Sequence, residues 1–397
     1  MDRFDVYEGR EASAVKHAIL RHYLERLAFK VGYAWPVVNY VEGFAGPWKS
    51  ATTDLSDTSP HIALHELRKA RAGLAKAGRH PRFRCLFVER GKRAATRLQA
   101  SLEESDDIEA KVLQGTFLEK VPEIMEFISV PQRHFTFLFV DPKGWTKYDP
   151  DVIAPLLREP QSEVLINFMT EYVNRFVGTR EKKTHASFLP LFGSEADWAA
   201  WQGLKGRDRE EAILAGFMRR IKELGGYRCV VAAVVLDPTR DRSFFHLVYG
   251  TRSIDGLRAF REAEYKSLSE HRSMRQVAKQ RHREQRTGQP QLFRPGQVEG
   301  PSYVDELRLE YHKRARQSVE DRLRREDAVR FDGLEETALL HPMVRTKDLR
   351  DWLAGWRMAG LVRYEGLGER ERSLKPGKEH RVVWNQVGVR TSDAGAP

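Results

Sequence analysis

Four short runs dominated by apolar residues restrict the folds open to this chain: VVNYV at 37–41, RCLFV at 84–88, FTFLFV at 135–140 and EVLINF at 163–168. Each has strand length, and none shows the in–out alternation of a strand with one wet face, so all four read as strands covered on both sides. Between them lie helical patterns at 59–77 and 91–104, and an amphipathic helix at 11–31 comes first. Strand and helix in alternation predict an α/β fold, a mostly parallel sheet joined by right-handed crossovers. Residues 227–237 and 244–251, joined by the turn-rich PTRDRS, predict an antiparallel hairpin at the sheet edge. The stretch 176–223 reads as a helical insertion whose Gly-Thr-Arg-Glu-Lys-Lys opening suits a lid.

Several function classes are excluded at this stage. The longest apolar run, Val230 to Leu236, is far too short to cross a bilayer, and the N-terminus is acidic and amphipathic instead of signal-like, so the expectation is a cytoplasmic protein without a membrane partner. Cys85 and Cys229 are the two cysteines, each inside an apolar segment, which leaves no disulfide framework and no thiolate metal cluster. His61 and His65 stand four apart on a helix, but without a third ligand at recognised spacing they read as helix-face residues, and no metal is expected.

The formal charge of +11 favours a polyanionic partner, and its placement matters more than its sum. Arg272, Arg275, Lys279, Arg281, Arg283 and Arg286 face one acid, Glu284, and a loop-like TGQPQLFRPGQ follows. The domain reading is therefore 1–269 for the α/β part, 270–302 for a basic linker, and 303–397 for a helix plus a compact pattern of helix, helix, strand, long turn and strand. The long turn carries Arg370, Arg372, Lys375 and Lys378. Helices followed by a hairpin with a basic tip resemble a winged helix, which can lay its wing on the phosphates of DNA or RNA or serve as a protein-interaction module.

A parallel sheet binds ligands at the carboxyl ends of its strands, and here those ends carry unusual residues. The first strand runs into NYVEGFAGPW, an acid and then a Gly-x-x-Gly turn. Gly43 and Gly46 would let backbone approach a ligand, and Glu89, ending the second strand, is placed to accept ribose hydroxyls. Gln114-Gly115-Thr116-Phe117 could border an adenine ring, and the fourth strand ends in Asp141-Pro142-Lys143-Gly144-Trp145. The pattern is neither Gly-x-Gly-x-x-Gly nor a Gly-Lys-Ser/Thr loop, which disfavours hydride cofactors and triphosphates. Lys16 and His17 read either as neighbours of a ligand carboxylate or as a solvated helix face, and Asn167 either as lining an acceptor site or as a helix cap.

The runs YVEGFAGPW, SPHIAL, LFVER, QGTF, FLFVDPKGW and HLVYGTRSIDGL resemble the three-Cys-motif partner (TcmP) family over about residues 11–265. The resemblance implies a Rossmann-like, seven-stranded methyltransferase sheet, S-adenosylmethionine as cofactor, and a partner protein of the radical-SAM-like, three-cysteine-motif type. It implies that Glu42, Gly43, Phe44 and Gly46 meet the methionine part, that Glu89 holds the ribose, and that Thr116 and Phe117 lie on the adenine side. Asp141 and Pro142 match the start of the acceptor motif, where amino-methyltransferases carry Asp/Asn-Pro-Pro-aromatic. Lys143 and Gly144 depart from it, and Trp145 comes one place late, either stacking a base or packing under the loop.

The functional expectation is a methyltransferase acting on nucleic acid, with an exocyclic base amine as acceptor. Methyl transfer asks a protein mainly for alignment and exclusion of water, which fits a chain without a catalytic triad or zinc spacing. The other readings are a nucleic-acid-binding scaffold that has lost transfer, and a protein methyltransferase.

Overall fold

The computed structural model describes residues 6–46, 50, 52, 55–103, 108–142, 144, 148–177, 182–193, 195–288 and 302–385. The chain divides into two compact units, 1–305 and 306–397, each considered separately below.

In the first unit a long helix, α1 (Glu11–Ala34), precedes β1 (Val37–Glu42), α2 (Ser59–Lys76), β2 (Arg82–Glu89), α3 (Lys92–Glu103) and β3 (Glu109–Gln114). Next come α4 (Val121–Ser129), β4 (Phe135–Val140), the short α5 (Ala154–Leu157) and β5 (Ser162–Phe168). Four helices follow, α6 (Thr170–Phe176), α7 (Lys182–Phe192), α8 (Glu195–Gln202) and α9 (Gly206–Gly225), then β6 (Cys229–Leu236), β7 (Ser243–Thr251), α10 (Ile254–Lys266) and α11 (Leu268–Thr287). The seven strands form one sheet in the order β3-β2-β1-β4-β5-β7-β6. The first five are parallel, and β7 runs antiparallel to both β5 and β6. This is the Rossmann-like methyltransferase fold.

Burial explains why the strand runs lack alternation: every residue of β1, β5 and β6 is buried. One face of the sheet packs Val41, Val88, Leu138, Val140 and Ile166 against side chains of α4 to α9. The region read as a lid belongs to this core instead, because Phe188, Phe192, Trp201 and Phe217 are buried in it and Phe217 stacks on Phe168 of β5 at 4.2 Å. Residues 178–181, within its expected opening, lie outside the described residues. The other face meets α1, where the Tyr23 ring contacts Phe137, Tyr249 and Phe260.

Residues 289–301 of the expected 270–302 linker lie outside the described residues, and its described part is helical: residues 270–287 lie in α11, which packs against α1 and buries His271, Met274, Arg275 and Ala278. Its cations are drawn to acids of the same unit: Arg275 and Lys279 to Asp241 at 2.5 and 2.8 Å, Arg272 to Asp305 at 2.9 Å, and Arg281 to Glu8 at 3.8 Å. Those acids are far away along the chain, so the segment looked uncompensated in sequence; of the six, Lys279, Arg283 and Arg286 are exposed.

The second unit contains most of α12 (Tyr303–Glu326), then β8 (Ala328–Arg330), α13 (Phe331–Leu339), α14 (Thr346–Met358), β9 (Val362–Glu365) and β10 (Arg381–Trp384). Its sheet has the order β8-β10-β9, antiparallel throughout. Phe331, Leu334, Leu349, Leu353, Trp356 and Val382 join Val319 and Leu323 of α12 in one core. The expected helix, helix, strand, long turn, strand order is present, preceded by a short third strand.

A buried carboxyl ties α1 to the sheet. Glu163 of β5 receives the hydroxyls of Tyr23 and, at 2.8 Å, Thr251, while Tyr23 and Tyr249 share a 2.7 Å hydrogen bond. Burial pushes the Glu163 carboxyl above its ordinary range. Replacing Tyr23 by Phe leaves a buried acceptor short of a donor, and the expected loss is about 1–3 kcal/mol in urea unfolding; an unchanged midpoint would show that the network does not clamp the helix.

Candidate functional site

The carboxyl ends of β1, β4 and β5 open into a cavity of about 640 Å³, walled opposite the strands by the first turns of α1 and α2. Phe44 and Gly46 line it from the loop after β1, Asp141, Pro142 and Gly144 from the loop after β4, and Asn167 from β5. Helix α1 contributes Ser13, Lys16 and His17, and Thr58 and Ser59 come from the start of α2. Met169, Tyr172, Phe244 and Phe245 supply the apolar side.

Charge in this cavity is arranged as opposed pairs. Asp141 accepts an ion-paired hydrogen bond from Lys16 through Oδ2 and a 2.7 Å bond from Asn167 Nδ2 through Oδ1. Lys16 is only 8% exposed, which is rare for lysine without a carboxylate partner. Arg10 is bound to Asp57 at 2.5 Å, and Asp57 also receives Ser50 at 2.6 Å. His17 contacts the Tyr7 hydroxyl at 3.0 Å through Nδ1. Burial, reinforced by the charge of Lys16, pushes the His17 imidazole down to about 3, so it is neutral at working pH. Asn167 Oδ1 is buried and takes no hydrogen bond among the described residues.

Gly43 N–H donates to Phe139 O at 3.0 Å, and Ala45 N–H to Val88 O at 2.9 Å, so the glycine turn is laced onto β4 and β2. A Cβ on Gly43 would stand 2.7 Å from the Phe117 ring. The close approach that requires glycine there is one to Phe117. Phe117 itself is a core residue packed on Phe44 at 5.5 Å between centroids. Thr116 and Glu119 exchange side-chain-to-backbone bonds of 3.2 and 3.4 Å, closing a turn.

Both strand-end acids point to one face of the sheet: Glu42 pairs in register with Phe87, two residues before Glu89. Neither is among the described residues lining the cavity. Glu89 is buried and accepts the Gly91 N–H at 2.6 Å, fastening the start of α3 with one of its two oxygens. Glu42 is fully buried, with Tyr40 donating to it at 2.9 Å and Ser59 at 2.5 Å, so Ser59 stands between it and the cavity. Lys143 and Trp145 lie outside the described residues.

Sequence reasoning had left Lys16, His17 and Asn167 as undecided cases, and it missed the Arg10–Asp57 pair and Ser59. The SPHIAL motif was available as a signal, since its Ser59 and Pro60 open α2 directly under Glu42. In the second unit Arg370, Arg372 and Lys378 are exposed, and Lys375 pairs with Glu371 at 3.2 Å. Arg372 also lines a groove of about 540 Å³ together with Arg350, Arg357 and Met358 of α14, residues that the sequence reading did not single out. The Arg357 guanidinium lies 4.6 Å from the centre of the Tyr364 ring, which also lines this groove.

No family profile and no curated protein matches the sequence. Among solved structures, a protein from Legionella pneumophila aligns at 10% identity over 59% of this chain and 85% of its own, with a TM-score of 0.33. An O-methyltransferase from Bacillus cereus, solved with S-adenosylhomocysteine, aligns at 11% identity over 58% and 80%, with a TM-score of 0.30. A loganic acid methyltransferase with the same ligand aligns at 10% over 72% and 91%, with a TM-score of 0.29. The fold assignment above rests on strand order and register, not on these likenesses.

Burial holds the Glu42 carboxyl up to about 8 against the hydrogen bonds from Ser59 and Tyr40, so it is largely protonated at neutral pH. Below the ordinary carboxyl value of about 4.5 the group is neutral in folded and unfolded chains alike. As pH rises toward about 8 the unfolded chain ionises while the folded one resists, and stability is lost across that window. Glu42→Gln should flatten the fall in urea midpoint between pH 5 and pH 8 relative to the parent; parallel curves would show that burial does not control this group.

Proposed function

We propose that this chain is an S-adenosylmethionine-dependent methyltransferase acting on nucleic acid. The observation that carries the reading is the cavity at the carboxyl ends of β1 and β4, where Lys16 and Asp141 present opposite charges side by side. The amino-acid end of S-adenosylmethionine is a zwitterion with a neighbouring sulfonium; the buried Lys16 cation suits its carboxylate, and Asn167 Oδ1, buried and without a hydrogen bond among the described residues, suits its ammonium. Lys16 would hold the carboxylate and Gly46 would border the methionine chain. Glu89, with one oxygen engaged by Gly91, keeps a second for the ribose hydroxyls. The cofactor supplies an activated methyl group; the protein's part is to align the acceptor, strip water from it and take up its proton.

Asp141 faces the acceptor in this reading. A neutral amine could donate N–H to its carboxylate while leaving the nitrogen lone pair free for the methyl carbon, which favours an exocyclic base amine. In the second unit, the helix, strand, helix, helix, strand, loop, strand order is winged-helix-like, and the exposed Arg370, Arg372 and Lys378 with the arginine-lined groove beside α14 support contact with DNA or RNA phosphates. Helix α11 has a lesser part, because four of its six cations are paired within its own unit. The resemblance to the TcmP family supports a three-cysteine-motif partner protein, and the working compartment is the cytoplasm.

One observation favours a second reading, a non-transferring scaffold: the Phe117 ring occupies the space over Gly43 in the first turn. Incubation with methyl-labelled S-adenosylmethionine and total RNA, DNA or protein separates the two. The expected result is label in nucleic acid, abolished by Asp141→Ala and reduced by reversing the charges of Arg370, Arg372 and Lys378. Cofactor binding without any label would support the scaffold, and label confined to protein would replace the nucleic-acid reading with a protein methyltransferase.

A further inference from the structure

We propose that Lys16 serves two partners in turn, Asp141 while the cavity is without cofactor and the cofactor's carboxylate once it is bound, so that Asp141 is opened to the methyl acceptor only after the donor has arrived. This rests on the methyl-donor reading above and adds an order of binding to it.

The reasoning begins with the charges available to an incoming anion. Two described cations line the cavity, Arg10 and Lys16. Arg10 is committed: it donates to Asp57 at 2.5 Å and to Val6 O at 2.7 Å, and Asp57 is held in turn by Ser50 and Thr52. His17 is neutral. Among the described residues Lys16 therefore remains to neutralise a carboxylate in this cavity, where a buried unpaired one would be costly. Its ammonium sits at the end of a flexible four-carbon stem, whereas its resting partner is fixed, since Asn167 holds Asp141 by the other oxygen at 2.7 Å. The mobile member of the pair is the lysine.

In the resting arrangement both oxygens of Asp141 are engaged, one by Lys16 and one by Asn167. An acceptor amine meeting this carboxylate competes with a full positive charge. When Lys16 turns to the cofactor's carboxylate, Oδ2 of the partly buried Asp141 loses its partner, and an acceptor N–H then relieves that cost. Breaking the pair penalises cofactor binding, and the acceptor restores part of what was lost, so each ligand tightens the other by the same factor.

Calorimetry on the full chain tests this with two non-reacting probes, S-adenosylhomocysteine and 5′-methylthioadenosine, which lacks the amino-acid end. Lys16→Met should weaken S-adenosylhomocysteine by about 10- to 100-fold, the scale of a charged hydrogen bond, and leave methylthioadenosine unchanged, which also reports that the variant is folded. Asp141→Asn should tighten S-adenosylhomocysteine several-fold, because Lys16 no longer has a charged partner to leave. The sign is diagnostic: weaker binding in Asp141→Asn would mean that Asp141 holds the cofactor's ammonium, and the exchange would be refuted. Unchanged affinity in Lys16→Met would refute it too while leaving the methyl-donor reading intact. Failure of the parent protein to bind either probe would overturn both.

Discussion

The direction of winding reverses at β1. Its neighbours are β2 on one side and β4 on the other, so the connections leaving their carboxyl ends go opposite ways and cannot close over the edge they share. Every other feature of the site depends on that gap. It sets Phe44 and Gly46 on one rim and Asp141 on the other, and α1, pinned by Tyr23 to the buried Glu163, brings Lys16 across the opening.

Electrostatics then decides what the gap can receive. Among the described residues its charges are matched, Lys16 with Asp141 and Arg10 with Asp57, and its histidine is neutral, so these residues offer no net charge to a polyphosphate. A ligand carrying a carboxylate can draw Lys16 from Asp141, and an acceptor N–H can then take the vacated oxygen, so an amino-acid end and an amine can divide the pair in turn. In the second unit Arg370, Arg372 and Lys378 are exposed, while four cations of α11 pair with acids of the first unit.

Much of the fold was legible because β1, β2, β4 and β5 are covered on both faces and so read as apolar runs, and because the β6–β7 pair is bounded by a clear turn. The place of β4 beside β1 and that of β7 between β5 and β6 were not given by sequence order, and the half-exposed β3 did not show as an apolar run. The site was less legible for reasons that are physical. Burial turns Glu42 and one oxygen of Glu89 toward the protein itself, and nothing in local sequence distinguishes an acid bonded to a helix start from one waiting for a ribose. Lys16 looked like an ordinary helix-face cation because its partner is 125 residues away. Arg275, likewise, seemed free until the fold brought Asp241 to it.

The most direct measurement is a crystal structure of the full chain with S-adenosylhomocysteine. The ligand should lie across the ends of β1 and β2, its carboxylate on Lys16 Nζ, its sulfur facing Asp141 and its ribose on Glu89. Ligand bound at another surface, or a gap still closed by Phe117 with Lys16 unmoved on Asp141, would contradict the assignment of this cavity as the methyl-donor site.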